Sequence, residues 1–139
     1  MLAHLRARAI DGVEEVTGDA YERSVSHEDF LGTVLVRQAP ERNCLVVTLR
    51  LSRGRAREAI LERVRRVFDV EADVAGIGAH LSRDPVLRRL VALRPGLRVP
   101  GGWDGFELAI RAVLGQQVSV AAARRLLGRL VAMCGEVLP

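Results

Sequence analysis

The amino-acid sequence predicts an α+β fold: a small antiparallel sheet backed by helices, followed by further helices. Three observations carry this expectation. Residues 20–52 hold stretches that alternate with the period of a strand, and residues beyond 53 repeat with the period of a helix. The run Pro95-Gly96-Leu97-Arg98-Val99-Pro100-Gly101-Gly102 then interrupts the helical pattern with a composition that regular structure does not tolerate. A length of 139 residues accommodates one domain or two small ones. The interruption divides the chain into 1–96 and 97–139.

The elements follow in order. Leu2, Leu5, Ala9 and Ile10 share one face of a helix over residues 1–10, which Gly12 ends. Leu45, Val47, Leu49 and Leu51 alternate with Val46, Thr48 and Arg50, so one row points inward and the other toward solvent. Residues 30–37 (FLGTVLVR) read as the hairpin partner of that strand, joined through Ala39-Pro40-Glu41-Arg42-Asn43, whose Pro and Asn suit a turn. Tyr21 to Val25 adds a further strand. Two or three strands are marginal alone, so helices must cover one face.

From Arg53 the period is helical, with Ile60, Val64, Val67 and Phe68 as a stripe and Glu62 one turn before Arg66. Asp73 is placed to cap a short helix carrying Val74, Ile77 and Leu81. Asp84-Pro85 opens another with Leu87, Leu90 and Val91, because Asp accepts from free amides and Pro suits the first helical position. Asp104 and Glu107 have the spacing of a capping box ahead of a helix whose apolar face is Phe106, Ile110, Val113 and Leu114. Ser119 caps the last helix. Leu126, Leu127, Leu130 and Val131 then face a core, and Arg124, Arg125 and Arg129 face mostly away.

Composition excludes several classes. All 21 basic residues are Arg, against 17 acidic ones, for a net charge of +4. The charge is asymmetric: residues 1–49 carry −3 and residues 50–139 carry +7, so a polyanion-binding surface is expected in the second part. A GC-rich coding bias explains the lack of Lys but not the asymmetry. No apolar run reaches the roughly 18–20 residues of a membrane span, and Arg6 and Arg8 stand where a secretory signal needs apolar residues. Cys44 and Cys134 lack metal spacing and read as reduced core residues of a cytoplasmic protein. His4, His27 and His80 show no paired spacing, so no metal site is expected. No catalytic set can be assembled from spacing.

The most informative local feature is Gly115-Gln116-Gln117-Val118-Ser119, a polar corner between two amphipathic helices. Its glutamines can reach base edges, and the amides of the following helix can meet a phosphate. A plain turn of an αα-hairpin has the same appearance, and so has a helix–turn–helix reader.

The run from Leu97 to Ala123, LRVPGGWDGFELAIRAVLGQQVSVAAA, closely resembles the DNA-3-methyladenine glycosylases of the AlkA type at the opening of their helix-hairpin-helix domain. The stretches LRARAIDGVEEV and VRRVFDVEADVAGIGAHLSRDPVLRRLV are similar to earlier helices of that family, so the resemblance covers nearly the whole chain. It implies an N-terminal α+β domain similar to half of a TATA-binding protein, then the first helices of an all-α glycosylase domain.

The resemblance also implies base-excision DNA repair. Double-stranded DNA with alkylated bases such as 3-methyladenine is the partner, and the base is flipped and released by hydrolysis without metal or organic cofactor. Gln116, Gln117, Val118 and Ser119 match the turn that enters the minor groove, and Gln117 matches the wedge, where some members carry an apolar residue. His4 matches an aromatic position beside the base pocket. The backbone-gripping hairpin and the catalytic Asp correspond to positions past Pro139. The family has a strand before the helix that begins at Met1. The chain is therefore expected to be clipped at both ends and inactive alone, with no catalytic residue of its own. Leu126, Leu127, Leu130, Val131 and Met133 are then expected to be partly exposed and to favour self-association. A nucleoid-associated cytoplasmic location is implied. The alternatives are a non-enzymatic DNA-binding module and a degenerate remnant.

Overall fold

The computed structural model describes residues 1–27, 30–52 and 57–138. Its sheet contains β1 (Glu14–Thr17), β2 (Ala20–His27), β3 (Phe30–Ala39) and β4 (Cys44–Leu51), all antiparallel, in the order β1-β2-β3-β4. The alternation expected for β4 is present, with Leu45, Val47, Leu49 and Leu51 on the half-buried row and their neighbours exposed. A short 3-10 turn at Pro40–Arg42 and a left-handed Asn43 (φ 48°) make the β3–β4 connection. β1 was not foreseen. It is four residues long, and Val16 is its sole large apolar residue, so it carries no readable alternation.

Strand register decides what the inner face holds. Tyr21 lies opposite Val36, and Val36 opposite Val47; Arg23 lies opposite Val34, and Val34 opposite Leu49. Tyr21, Val25, Val34 and Val36 are buried on this face. Onto it packs α2 (Arg57–Val67) through Ile60, Val64, Val67 and the following Phe68, whose ring meets Tyr21 edge-on at 5.7 Å. That stripe is the one its spacing predicts. The start of the helical pattern, residues 53–56, lies outside the described residues. Glu62 and Arg66 form no ion pair among the described residues.

The first helix, α1 (Leu2–Arg8), is shorter than expected. Leu2 and Leu5 pack on the core, while Ala9 and Ile10 are buried in the extended chain that follows, before Gly12 turns it at φ 85°. A helical hairpin, α3 (Val74–Leu81) and α4 (Pro85–Leu93), has the two expected caps. Asp73 accepts from the Gly76 amide at 2.9 Å, and Asp84 from the Val86 and Leu87 amides at 2.8 and 3.0 Å.

The Pro95–Gly102 segment carries no regular structure, yet it is firmly held. The Arg98 guanidinium donates to the Asp69 and Val70 carbonyls, the Val99 amide to the Asp69 carboxylate at 3.0 Å, and the Gly101 amide to the Val67 carbonyl at 3.2 Å. Gly101 lies so close to the Arg66 carbonyl that a Cβ would sit 2.5 Å from its oxygen. The path leads Trp103 into the core, where only 4% of its surface remains accessible.

Two helices complete the fold, α5 (Gly105–Leu114) and α6 (Val120–Cys134). Asp104 caps α5 by accepting from the Glu107 amide at 2.8 Å. The reciprocal half of the capping box is not made, because the Glu107 carboxylate is engaged by arginines. The expected apolar face of α5 is also corrected: Phe106 is 78% accessible and Val113 is exposed, while Ile110 and Leu114 are half-buried. On α6, Leu127 is buried rather than exposed, because α6 packs beside α1. Leu126, Leu130 and Met133 are exposed as expected, and Val131 is half-buried. Cys44 and Cys134 are both exposed, so neither is a core residue. Cys44 begins the outer row of β4, and Cys134 ends α6.

Ile60 is fully buried between α2 and the sheet, and its truncation leaves a cavity that neighbouring strands cannot fill. Ile60→Ala is expected to lower the unfolding free energy by about 2–5 kcal/mol in urea titration. A loss below about 0.5 kcal/mol, the scale of a surface change, would contradict this placement.

Candidate nucleic-acid interface

The Gly115–Ser119 corner is built by the two helices it joins. The Gly115 amide donates to the Arg111 carbonyl at 3.0 Å and closes α5. The Gln116 amide donates to the Val113 carbonyl at 3.3 Å. Gln117 takes a left-handed conformation, φ 56°, which costs a residue with a side chain about 1 kcal/mol. Ser119 caps α6, its hydroxyl accepting from the Ala122 amide at 3.2 Å. Gln116, Gln117, Val118 and Ser119 are all exposed. The corner therefore presents two amide side chains at the N-terminal end of a 15-residue helix.

Beneath the corner lies an apolar recess of about 190 Å³ lined by Val118, Val120, Leu127, Arg8 and Arg111. A second recess, of about 180 Å³, holds His4 at its edge with Leu5, Trp103 and Leu108, and is also bordered by Arg8 and Arg111. His4 and the glutamine corner thus sit on adjoining recesses rather than in one. The His4 imidazole is held below its ordinary pKa by partial burial, by Arg8 and by the chain's amino group, so it is neutral at neutral pH.

The arginines divide into two groups. Arg8, Arg125 and Arg129 are exposed. Arg124 is tied to Asp11 at 2.5 Å. Arg111 points inward, so it adds no free charge to the basic surplus of the second part of the chain. Its guanidinium meets Glu14 at 2.5 Å, Glu107 at 2.9 Å and the Arg8 carbonyl at 2.8 Å.

Arg111 belongs to a buried ionic cluster that sequence reasoning missed. Glu14 on β1 and Arg23 on β2 face each other in register, with side chains only 6% and 4% accessible. Arg23 binds Glu107 at 2.8 Å and stacks its guanidinium 4.1 Å from the Trp103 ring centre. The Glu14 carboxylate also accepts from the Tyr21 hydroxyl at 2.7 Å and the Ile10 amide at 3.0 Å. A readable signal existed: Arg23 falls between Tyr21 and Val25 on the inward row of β2.

Electrostatics follow from this packing. Burial works to raise the Glu14 pKa, but Arg111, the Tyr21 hydroxyl, Arg23 and the Ile10 amide outweigh it and hold the carboxyl below its ordinary value. Burial pushes the Tyr21 phenol far above its usual range; Arg23 opposes the rise and Glu14 adds to it. Burial disfavours the charge on Arg23 and Arg111, yet their partners keep both firmly protonated. Among the described residues no group of three or more His, Cys, Asp or Glu could hold a metal ion, and no helix is long and apolar enough to cross a membrane.

Comparison with known proteins gives a consistent picture. The AlkA N-terminal domain family matches residues 1–104. The chain is 41% identical over 137 residues to a protein of Mycobacterium tuberculosis named probable bifunctional transcriptional activator/DNA repair enzyme AlkA, covering 98% of this chain and 27% of that one. It is 36% identical over 136 residues to DNA-3-methyladenine glycosylase 2 of Escherichia coli, covering 98% of this chain and 46% of that protein. The chain therefore spans less than half the length of these relatives. Its fold is similar to that of a 3-methyladenine DNA-glycosylase from Archaeoglobus fulgidus, with a TM-score of 0.73 at 19% identity over 95% of this chain and 43% of the other.

A carboxyl whose pKa is lowered on folding stabilises the native state above its ordinary value of 4.5, and that contribution is lost as pH falls through the lowered value. The melting temperature is therefore expected to hold down to about pH 4.5 and then decline. Glu14→Gln should lower it at neutral pH, through a stability loss of roughly 3–5 kcal/mol for a broken buried pair, and remove part of the acid-side decline. Wild type and variant with the same acid-side profile would contradict the role given to Glu14.

Proposed function

The chain belongs to the AlkA N-terminal domain family, and from that premise we propose that it is the DNA-engaging front part of an alkyl-base DNA glycosylase. The observation that carries this reading is the exposed corner at Gln116–Ser119, with Gln117 held left-handed at its apex. Left-handed backbone at Asn43 suits an ordinary turn, but Gln tolerates it less readily than Asn, and such strain clusters at functional sites, which supports the assignment. The similarity to relatives named for DNA repair extends over this corner, because it covers 98% of the chain.

In this reading Gln117 enters the minor groove where a damaged nucleotide has left the stack. Its planar amide fills the gap and can donate to and accept from the orphaned base. Gln116 lies against the neighbouring bases, and Val118 and Ser119 lead the chain back to α6. The start of α6, with its unpaired amides, favours a nearby phosphate. Arg125 and Arg129 supply exposed positive charge on the same helix, and Arg8 supplies it on α1. His4 stands at the recess beside Trp103 as the base-facing side chain. A neutral imidazole does not repel an alkylated base, which is cationic, and can stack on it.

Base release itself needs a carboxylate near the sugar and a water, and we assign neither to this chain. Duplex binding without base release is the activity proposed for the 139 residues alone. In the cell this places the chain on nucleoid DNA. Exposed Phe106, Leu130 and Met133 supply the faces through which copies associate at high concentration.

A short duplex containing a methylated base, read by fluorescence anisotropy, tests the proposal. Binding is expected to weaken with salt at a slope of about −2 to −3 in log K against log salt, the signature of two or three phosphate contacts. Gln117→Gly preserves the left-handed corner and removes the side chain. It should weaken binding by about three- to tenfold, with stability unchanged or slightly raised. Gln117→Gly binding as tightly as wild type would overturn the wedge assignment, and release of 3-methyladenine by this chain alone would overturn the division of labour.

A further inference from the structure

We propose that the cluster of Glu14, Arg23, Glu107 and Arg111, with the Asp11–Arg124 pair beside it, is a positioning device for the Gly115–Ser119 corner and sets where Gln117 meets the DNA. The inference deepens the DNA-binding reading of that corner and rests on it.

Both limbs of the corner are tied to one short piece of chain, Arg8–Glu14. On the α5 side the tie is Arg111. Its guanidinium reaches the Glu14 carboxylate at 2.5 Å and the Arg8 carbonyl at 2.8 Å. Its own carbonyl accepts the Gly115 amide that turns the chain, at 3.0 Å. On the α6 side Arg124 reaches Asp11 at 2.5 Å, and Leu127 is buried where α6 packs beside α1. The Arg8–Glu14 piece is itself fixed. The Glu14 amide donates to the Ile10 carbonyl at 2.8 Å, and the Ile10 amide donates back to the Glu14 carboxylate at 3.0 Å. Arg23 then carries the connection into the sheet, bridging to Glu107 at 2.8 Å against the Trp103 ring.

The chemistry of the contact argues for positioning rather than simple cohesion. α5 carries Phe106 and Val113 yet turns both to solvent and sets the half-buried Glu107–Arg111 pair against the sheet instead. An apolar contact would hold the helix but allow it to slide and rotate. Ion pairs with forked guanidinium geometry fix both the rotation and the height of the helix, and replacing such groups by apolar residues commonly costs little stability. Arg111 lies one helical turn before Gly115, so a change in its seating moves the corner directly.

The test uses the 139-residue chain and two variants. Arg111→Lys keeps the charge, but its single ammonium cannot reach acceptors spread across the three nitrogens of the guanidinium fork. Asp11→Ala loosens the other limb at an exposed position and serves if Arg111→Lys does not fold. Two readouts are followed: amide hydrogen exchange at Gly115 and Gln116, whose amides are hydrogen-bonded, and the emission of 2-aminopurine paired opposite the damaged base in a methylated duplex.

We expect exchange at the hydrogen-bonded amides of Gly115 and Gln116 to rise about tenfold in either variant while the β2 and β3 amides keep wild-type protection. The 2-aminopurine response should fall and duplex affinity should weaken about five- to tenfold, within the range of coupling through packed networks. The salt dependence should stay unchanged, because no phosphate contact is removed. Wild-type exchange at the corner, or exchange raised equally in β2 and β3, would overturn the proposal. Wild type that binds no duplex would remove the DNA reading, and the exchange measurement, which needs no DNA, would then judge the tether by itself.

Discussion

The structure depends on a buried carboxylate and guanidinium, Glu14 and Arg23, and a half-buried pair, Glu107 and Arg111, set where a small domain would ordinarily place hydrocarbon. Glu14 and Arg23 face each other on the inner side of the sheet, and Glu107 and Arg111 reach them from α5. Each charge is costly out of water and remains only because the others satisfy it. Among the described residues one Arg23 nitrogen still lacks a hydrogen-bond partner, and the Glu14 carboxylate oxygen beside it is 3.6 Å away. The Trp103 ring under that guanidinium offers a favourable face in place of water.

Much of the chain path follows from completing this cluster. Trp103 must enter the core, so the preceding Pro95–Gly102 segment is pinned to the end of α2 by Arg98, Val99 and Gly101. Glu107 must serve Arg23, so the capping box of α5 stays half-made. With its charged face turned inward, α5 leaves Phe106 and Val113 outside. The corner at Gly115–Ser119 then emerges at a place fixed by the arginine one turn before it.

The sequence was most legible where a single element dictates its own form. The alternation of β4, the Ile60–Val64–Val67 stripe and the caps at Asp73, Asp84, Asp104 and Ser119 all depend on local period or local chemistry. It was less legible where two elements choose between faces. Periodicity shows that α5 has an apolar and a charged side but not which one turns inward, since that depends on Glu14 and Arg23 far away in sequence. Periodicity turns Leu127 toward a core correctly; the expectation that it is partly exposed fails because its partner is α1, more than a hundred residues earlier. The glutamine corner stood out locally as a polar break, and the family resemblance, not the residues alone, gave it a role.

The central constraint is energetic coupling between β1 and α5 through Glu14 and Arg111, and a double-mutant cycle measures it most directly. Glu14→Gln, Arg111→Met and the double variant would be unfolded in urea alongside wild type. The structure requires a coupling energy of about 1–3 kcal/mol, with the double variant much less destabilised than the two losses added together. Losses that add to within about 0.5 kcal/mol would mean that the two side chains act independently, and that the cluster does not hold the helices to the sheet.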